Sequence, residues 1–331
     1  MVAVSFTNKN CLPLRNIFVN FGPIPRQSLQ AIISLIHNGM SMFADACEKA
    51  MKFTRPVIIS TRSIDGSTTS GCAAFVIINR DGWFMTAGHV FDSFVKLKED
   101  KAKIDELESL NQAPHSSMRK EIKKDPKWLT NQSFWWGWDG IRVGEVYVNR
   151  EIDVAVGRFE GFKPEWISEY PVFKDPSKMR PGTSLCRIGF PFIDSSTDFD
   201  EKTQNFRIRP GVLPMAFFPN DGIHTRNVLT GRSKDGDFEM LYVETSTPGL
   251  KGQSGGPIFD RNCNIAGLQV RTAHMPLGFS PSVQYKGDMI IENQFLNVGI
   301  GIHVKTLLAI LDSRGVKYAC EGDDQGFRIV D

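Results

Sequence analysis

No stretch of the 331-residue chain approaches the roughly eighteen consecutive apolar residues that a membrane-crossing helix needs. The opening residues, MVAVSFTNKNCLPLRNIF, lack a basic segment followed by an apolar core. No secretion leader is read there, and a cytoplasmic setting is expected. Net charge is also nearly absent, at +2, so nothing in the balance calls for nucleic acid or an acidic membrane as partner. The six cysteines (Cys11, Cys47, Cys72, Cys186, Cys263 and Cys320) contain no C-x-x-C pair, and the six histidines are scattered. A zinc site is therefore not expected, and neither a metal nor a cofactor is read. In a chain long enough to bury a real core, such cysteines read as free thiols rather than a disulfide frame. Internal repeats and low-complexity tracts are missing too, which leaves an ordinary globular composition: 41% hydrophobic and 23% charged.

What is present changes period along the chain. From Ser28 to about Lys52, apolar residues recur at steps of three and four through Leu29, Ile32, Ile33, Ile36, Met40, Phe43, Cys47 and Met51, with Gly39 interrupting. That spacing predicts helix. Short β-branched and aromatic runs follow: RPVIIS, GCAAFVIIN, WFMTA, IRVGEVYVN, IDVAVGRF, TSLCRIGF, VLPMAFF, MLYVETS, GPIFD and NIAGLQVRT. Gly, Asn, Asp and Pro separate them, and NRDG between the second and third is a hairpin turn signal. So many short strands predict antiparallel β-barrels rather than βαβ units. One charged segment, Phe94 to Gln112, breaks the pattern as a helix with Leu97, Ile104 and Leu107 on one side. The basic run after it, with Arg119, Lys120, Lys123, Lys124 and Trp128, reads as a solvated face; a nucleic-acid patch is the sharper alternative. Near the end, GIGIHVKTLLAILDSRG predicts a strand and then a helix.

Three local contexts carry chemistry. KGQSGGPIFD (Lys251–Asp260) sets three glycines and a proline around Ser254. Either this is a tight turn before a strand, or the glycines free backbone N–H groups to converge beside the serine hydroxyl and stabilise an oxyanion. His89, in FMTAGHVFD, follows an apolar strand ending in small residues; alone it reads as structural. Asp153, in REIDVAVGRF, heads an apolar strand, where a carboxylate is costly unless hydrogen-bonded; alone it reads as a strand-start cap. Together they form the set that acyl transfer needs. A serine hydroxyl is a weak nucleophile, an imidazole can take its proton, and a carboxylate can fix the imidazole tautomer.

In the order His89, Asp153, Ser254, these contexts resemble the chymotrypsin-like (trypsin-fold) serine peptidases. TAGHV looks like the family's TAAHC or TNAHV, DVAV like its DIAL or DLAV, and GQSGGP like its GDSGGP or GNSGGP. Four longer segments, GCAAFVIINRDGWFMTAGHV, PGTSLCRIGFPF, ETSTPGLKGQSGGP and GIGIHVKTLLAIL, resemble the bacterial HtrA-like branch over about residues 55–313. No PDZ-like module is read after the last helix. The resemblance implies two six-stranded antiparallel β-barrels. It makes Ser254 the nucleophile, His89 the general base and then acid, Asp153 the orienting carboxylate, and the N–H groups of Gly252 and Ser254 the oxyanion hole. It places the base of the specificity pocket near Pro248, one wall near Val270, and Arg271 at the rim of the cleft. With no carboxylate there, an uncharged side chain is expected before the scissile bond; the alternative is an acidic group drawn to Arg271 at the rim.

Two departures stand out. Gln253 occupies the place of an aspartate that, in digestive relatives, pairs with a newly cut N-terminus. Val270 stands where many relatives carry a hydroxyl near the catalytic aspartate. The expected organisation is a largely helical extension (1–54), a peptidase domain (55–313) with a charged insertion over about 94–138, and a tail (314–331). The expected partners are a protein or peptide substrate and a regulatory protein or second copy of the chain, meeting the segment Ser28–Lys52 or the insertion. The competing reading is a catalytically silent trypsin-fold binding module.

Overall fold

The computed structural model describes residues 42–112, 123–286, 288–291 and 294–322. Most of the helical reading before Ala44 lies outside the described residues, as do Arg119 and Lys120; the end of that segment forms helix α1 (Ala44–Phe53), which runs one residue past Lys52. Ala46, Cys47, Ala50 and Phe53 are its buried face, at the helical spacing of three and four.

Six strands follow around one core: β1 (Thr54–Ser63), β2 (Thr68–Ile77), β3 (Trp83–Ala87), β4 (Leu129–Trp135), β5 (Arg142–Asn149) and β6 (Val154–Glu160). They form an antiparallel sheet in the order β4-β1-β2-β3-β6-β5. The β2–β3 turn is the one NRDG signals. Asn79 Oδ1 accepts from Asp81 N at 3.0 Å, and Gly82 takes a left-handed φ of +78° that favours glycine. Phe84 stacks on Phe159 at 4.2 Å, and Trp136 packs edge-on against both Phe75 and Phe159.

Between β3 and β4 stands helix α2 (Asp92–Gln112), with Leu97, Ile104 and Leu107 half-buried on one side as their spacing predicts. The insertion divides differently from the reading over 94–138. Leu129–Trp135 is a barrel strand and Trp136 a core residue, so the tryptophan-rich run belongs to the barrel rather than to a charged surface. Lys124 pairs with Glu108 of α2, and Lys103 lies over the Trp128 ring.

The second half contains β7 (Val172–Phe173), β8 (Ser184–Arg187), a hairpin of β9 (Thr197–Asp200) and β10 (Asn205–Ile208), β11 (Asn220–Arg232), β12 (Glu239–Thr245), β13 (Pro257–Phe259), β14 (Asn264–Pro276), a hairpin of β15 (Ser282–Tyr285) and β16 (Asp288–Ile291), β17 (Phe295–His303), helix α3 (Val304–Ser313) and β18 (Ala319–Cys320). Strands β13-β8-β11-β12-β17-β14 lie side by side, and β13 also pairs with β14, which closes the ring. The strand order repeats that of the first sheet. The fold is thus the trypsin-like pair of six-stranded β-barrels, with β7 and β18 added in parallel at the edge of β14. VLPMAFF, read as a strand, is a loop: it contains the cis Leu213–Pro214 bond, and Val212 and Met215 bury in a satellite cluster with Phe190. Among the described residues no helix is long and apolar enough to cross a membrane.

Candidate active site

His89 is delivered by register. Strand β3 pairs with β6 through Ala87↔Val154, so Gly88 and Asp153 meet just beyond the paired ends. Gly88 N donates to Asp153 O at 2.9 Å. A Cβ on Gly88 would stand 3.0 Å from Val154 N and 3.1 Å from the Asp153 carbonyl carbon, so glycine permits this approach. Asp153 is held at φ +68°, a left-handed conformation that aspartate tolerates better than most residues. The turn before it is built by Asn149, whose Oδ1 accepts from Glu151 N at 3.1 Å and Ile152 N at 3.0 Å.

The Asp153 carboxylate then does two things. Oδ1 accepts from the His89 backbone N–H at 2.8 Å, which fixes the start of the turn. Both oxygens meet His89 Nδ1, at 3.0 and 2.9 Å. A proton on Nδ1 is thereby engaged, which leaves Nε2 as the acceptor. The same hydrogen bond raises the His89 pKa above its ordinary value, with burial opposing it and the charges of Asp153 and Asp92 adding to it. Asp153 is mostly buried and His89 is 41% exposed, so the pair opens to solvent on the histidine side.

Ser254 is seated from the other barrel. Its carbonyl accepts from Ala74 N of β2 at 2.8 Å, and Gly255 N donates to Gln269 O of β14 at 2.7 Å. A Cβ on Gly255 would fall 2.2 Å from Ala74 O and 2.9 Å from Ala87 N, so the serine turn lies flush against the strand end that leads into His89. Gly252 has φ +99°, and a Cβ there would collide with Phe190 O at 2.3 Å. Gly252 and Gly255, the latter at φ +79°, therefore serve backbone packing as well as dihedral freedom. Gln253, fully buried, accepts from Leu250 N at 2.9 Å and donates to Phe218 O at 3.3 Å.

The residues expected to line the substrate pocket separate. Pro248 is half-buried, its carbonyl held by Asn220 Nδ2 at 2.8 Å. Val270 sits at an irregularity of the β14–β17 register and buries in the main core, so it offers the cleft backbone rather than side chain. Arg271 is exposed, stands over the Tyr242 ring at 4.8 Å, and lines a hollow with His89 and Asp153. A larger cleft of about 450 Å³ opens beside Leu250–Gly252, walled by Cys72, Phe190 and Ile193.

Two further participants escaped sequence reasoning. Tyr242 donates its hydroxyl to Glu151 O and Ile152 O, both at 3.3 Å, and so braces the turn that presents Asp153. In the sequence Tyr242 is one aromatic in an apolar strand. Arg187 is fully buried and donates to Thr247 O at 3.1 Å, whereas in the sequence it is one polar residue in the strand SLCRIGF. Among the described residues no cluster of His, Cys, Asp and Glu has the makings of a metal site.

Residues 72–268 match a family model described as a trypsin-like peptidase domain. Among solved structures the chain is similar to a variant of the HtrA-type protease AlgW with a decapeptide: 14% identity, TM-score 0.46, covering 84% of this chain and 69% of that one. A second AlgW variant, with a tripeptide, is 14% identical at TM-score 0.43, with 82% and 63% covered. AlgW with a tripeptide is 15% identical at TM-score 0.43, with 83% and 63% covered. In these last two the chain spans 63% of the other chain's length. No curated protein matches the sequence.

Proposed function

Because the chain belongs to the trypsin-like peptidase family, we propose that it is a serine endopeptidase acting on protein or peptide substrates through an acyl-enzyme. The observation that carries the reading is the doubly contacted His89–Asp153 pair at the end of the strand on which the Ser254 turn is seated.

The proposed chemistry assigns each residue one role. Ser254 Oγ attacks the scissile carbonyl carbon, and its proton passes to His89 Nε2. The oxyanion accepts hydrogen bonds from the N–H groups of Gly252 and Ser254. His89 returns that proton to the departing amine nitrogen, the C–N bond breaks, and the acyl group remains as an ester on Ser254. Water, deprotonated by His89, attacks the ester; the acid product leaves and the proton returns to Ser254 Oγ. Asp153 holds Nδ1–H and stabilises the imidazolium at each stage. The test is labelling of the intact chain by a fluorophosphonate, read by mass, with the adduct mapped to Ser254; an unlabelled folded chain counts against the reading.

The oxyanion loop needs no freshly cut N-terminus. The buried Gln253 amide bonds Leu250 N and Phe218 O from within the chain, which supports a chain that becomes active uncut, with a partner or second copy ordering the loop around Gly252. Gly252→Ala is expected to lower kcat by about 10²- to 10³-fold, the usual cost of losing an oxyanion donor, because a methyl group would strike Phe190 O and strain the positive φ. Steady-state kinetics of the folded variant measures this, and an unchanged kcat removes Gly252 from the hole.

The pH profile has a defined sign. The neutral imidazole is the active form, and Asp153 raises the His89 pKa. As pH falls through that raised value, His89 becomes cationic and kcat/KM falls with a one-proton dependence. The midpoint is expected above the ordinary imidazole value of about 6.5, and a kcat/KM profile on a neutral peptide reads it directly.

A further inference from the structure

Arg187 ends strand β8, and its side chain is 1% exposed. Nη1 donates to Gln269 Oε1 at 2.7 Å. Nη2 donates to the Thr245 hydroxyl, to Thr247 O at 3.1 Å and to Thr247 Oγ1 at 3.3 Å. Nε is buried with no partner. Among the described residues Arg187 forms no ion pair; each of its acceptors is a neutral oxygen. Burial lowers its pKa to about 10, which still leaves it charged at neutral pH. A buried cation without a counter-charge is costly, and the fold has made room for this one. A Cβ on Gly299 would lie 2.0 Å from Nη1, so glycine is needed on β17 opposite the guanidinium.

The location gives the charge its meaning. The acceptors come from the end of β12 and the segment leading to Gly252, and from β14: Thr247 precedes Pro248, where the resemblance puts the base of the specificity pocket, and Gln269 precedes Val270, where it puts one wall. The seat between them is filled from within. A Cβ on Gly249 would fall 2.1 Å from Gln269 Nε2, and Thr272 Oγ1 bonds Gly249 O at 2.6 Å across the mouth. The Gln269 carboxamide oxygen thus rests on the guanidinium in the manner of a carboxylate, but without the charge. Above, Arg271 adds a second cation to the cleft. Of the acids around it, Asp92 pairs with Arg150, Glu151 with Lys234 and Asp153 with His89.

We propose that Arg187 is the specificity-determining residue of this site and that the residue preceding the scissile bond is acidic, Asp or Glu. Its side-chain carboxylate displaces the Gln269 carboxamide oxygen from Nη1 and the Thr272 bridge from the mouth, and the Thr245 and Thr247 hydroxyls turn to donate to it. A charge-assisted hydrogen bond replaces a neutral one, and the buried cation gains its counter-charge. The inference rests on the peptidase reading for its place in the cleft, and it replaces the expectation of an uncharged side chain drawn from Pro248 and Val270 alone.

The test uses the full chain and matched fluorogenic peptides that differ only in Glu, Gln, Ala or Lys before the cleaved bond. The expected result is a kcat/KM for Glu at least about 10-fold above Gln, the scale of one hydrogen bond to a charged group. In Arg187→Met the Glu-to-Gln ratio is expected to fall to about 1. A second arm is independent of turnover and of how that variant folds: calorimetric binding of peptides ending in Glu or Gln to the Ser254→Ala chain, with the same preference expected. Equal handling of Glu and Gln in both arms, or a Lys signature, overturns the assignment. Fluorophosphonate labelling of the wild-type chain reports the peptidase reading separately, so a labelled enzyme indifferent to acid refutes Arg187 alone, and the binding arm decides the role of Arg187 even if labelling fails.

Discussion

Replacing Ser254 with alanine is expected to reduce turnover by about 10⁶-fold, the loss typical when the nucleophile of such a triad is removed. Its support in the fold comes from the backbone: the Ser254 carbonyl accepts from Ala74 N, and Gly255 N donates to Gln269 O. Alanine keeps both bonds and adds no atom in a half-buried position. The melting temperature should therefore stay close to that of the parent chain while cleavage of a peptide substrate disappears. Purified Ser254→Ala protein that cleaves at a rate comparable to the parent would falsify the nucleophile assignment.

Asp153→Asn is expected to cost about 10⁴-fold in kcat through the tautomer of His89 rather than through the fold. Asparagine accepts the left-handed conformation that Asp153 adopts at φ +68°, so the turn bears no new strain. Its carbonyl oxygen can still accept from His89 N–H, as Oδ1 does now at 2.8 Å. Its amide NH₂ then faces Nδ1 and donates to it, which moves the imidazole proton to Nε2 and leaves no lone pair for the Ser254 proton. The carboxylate hydrogen bond is the largest cause of the raised His89 pKa, so the acid limb of the profile should also move to lower pH. Kinetics across pH, with melting as the fold control, separates the two effects. A variant with near-parental kcat places the orienting group elsewhere.

Much of the candidate site could be read in the chain because its determinants are local. A tight turn needs glycine wherever a Cβ would strike a carbonyl, and Gly252 and Gly255 stand at such points. The NRDG hairpin, the α2 helix and the strand flanked by Asp153 likewise carry their dihedral and burial requirements within a few residues. Where the reading failed, the deciding contacts were distant. VLPMAFF is apolar because Val212 and Met215 fill a satellite cluster under a loop, not because it pairs as a strand. Asn220–Arg232 is a 13-residue strand that looks polar because much of it faces solvent, and its ladder partners on β8 and β12 supply what its side chains do not. Trp136 lies within the span read as a charged insertion, yet Phe75, Phe84 and Phe159 gather around it from other strands.

The sequence by itself determined the family and the fold class, and it singled out His89, Asp153 and Ser254 with their flanking glycines as the residues for the proposed chemistry, since these follow from residue type and short-range backbone geometry. Only the tertiary structure decided what surrounds that chemistry. Tyr242 reaches the turn before Asp153 from another barrel strand. Arg187 owes its burial and its missing counter-charge to β12, β14 and β17. An arginine on an exposed edge and a buried arginine look alike in a sequence, because the desolvation that distinguishes them is imposed by strands far away along the chain.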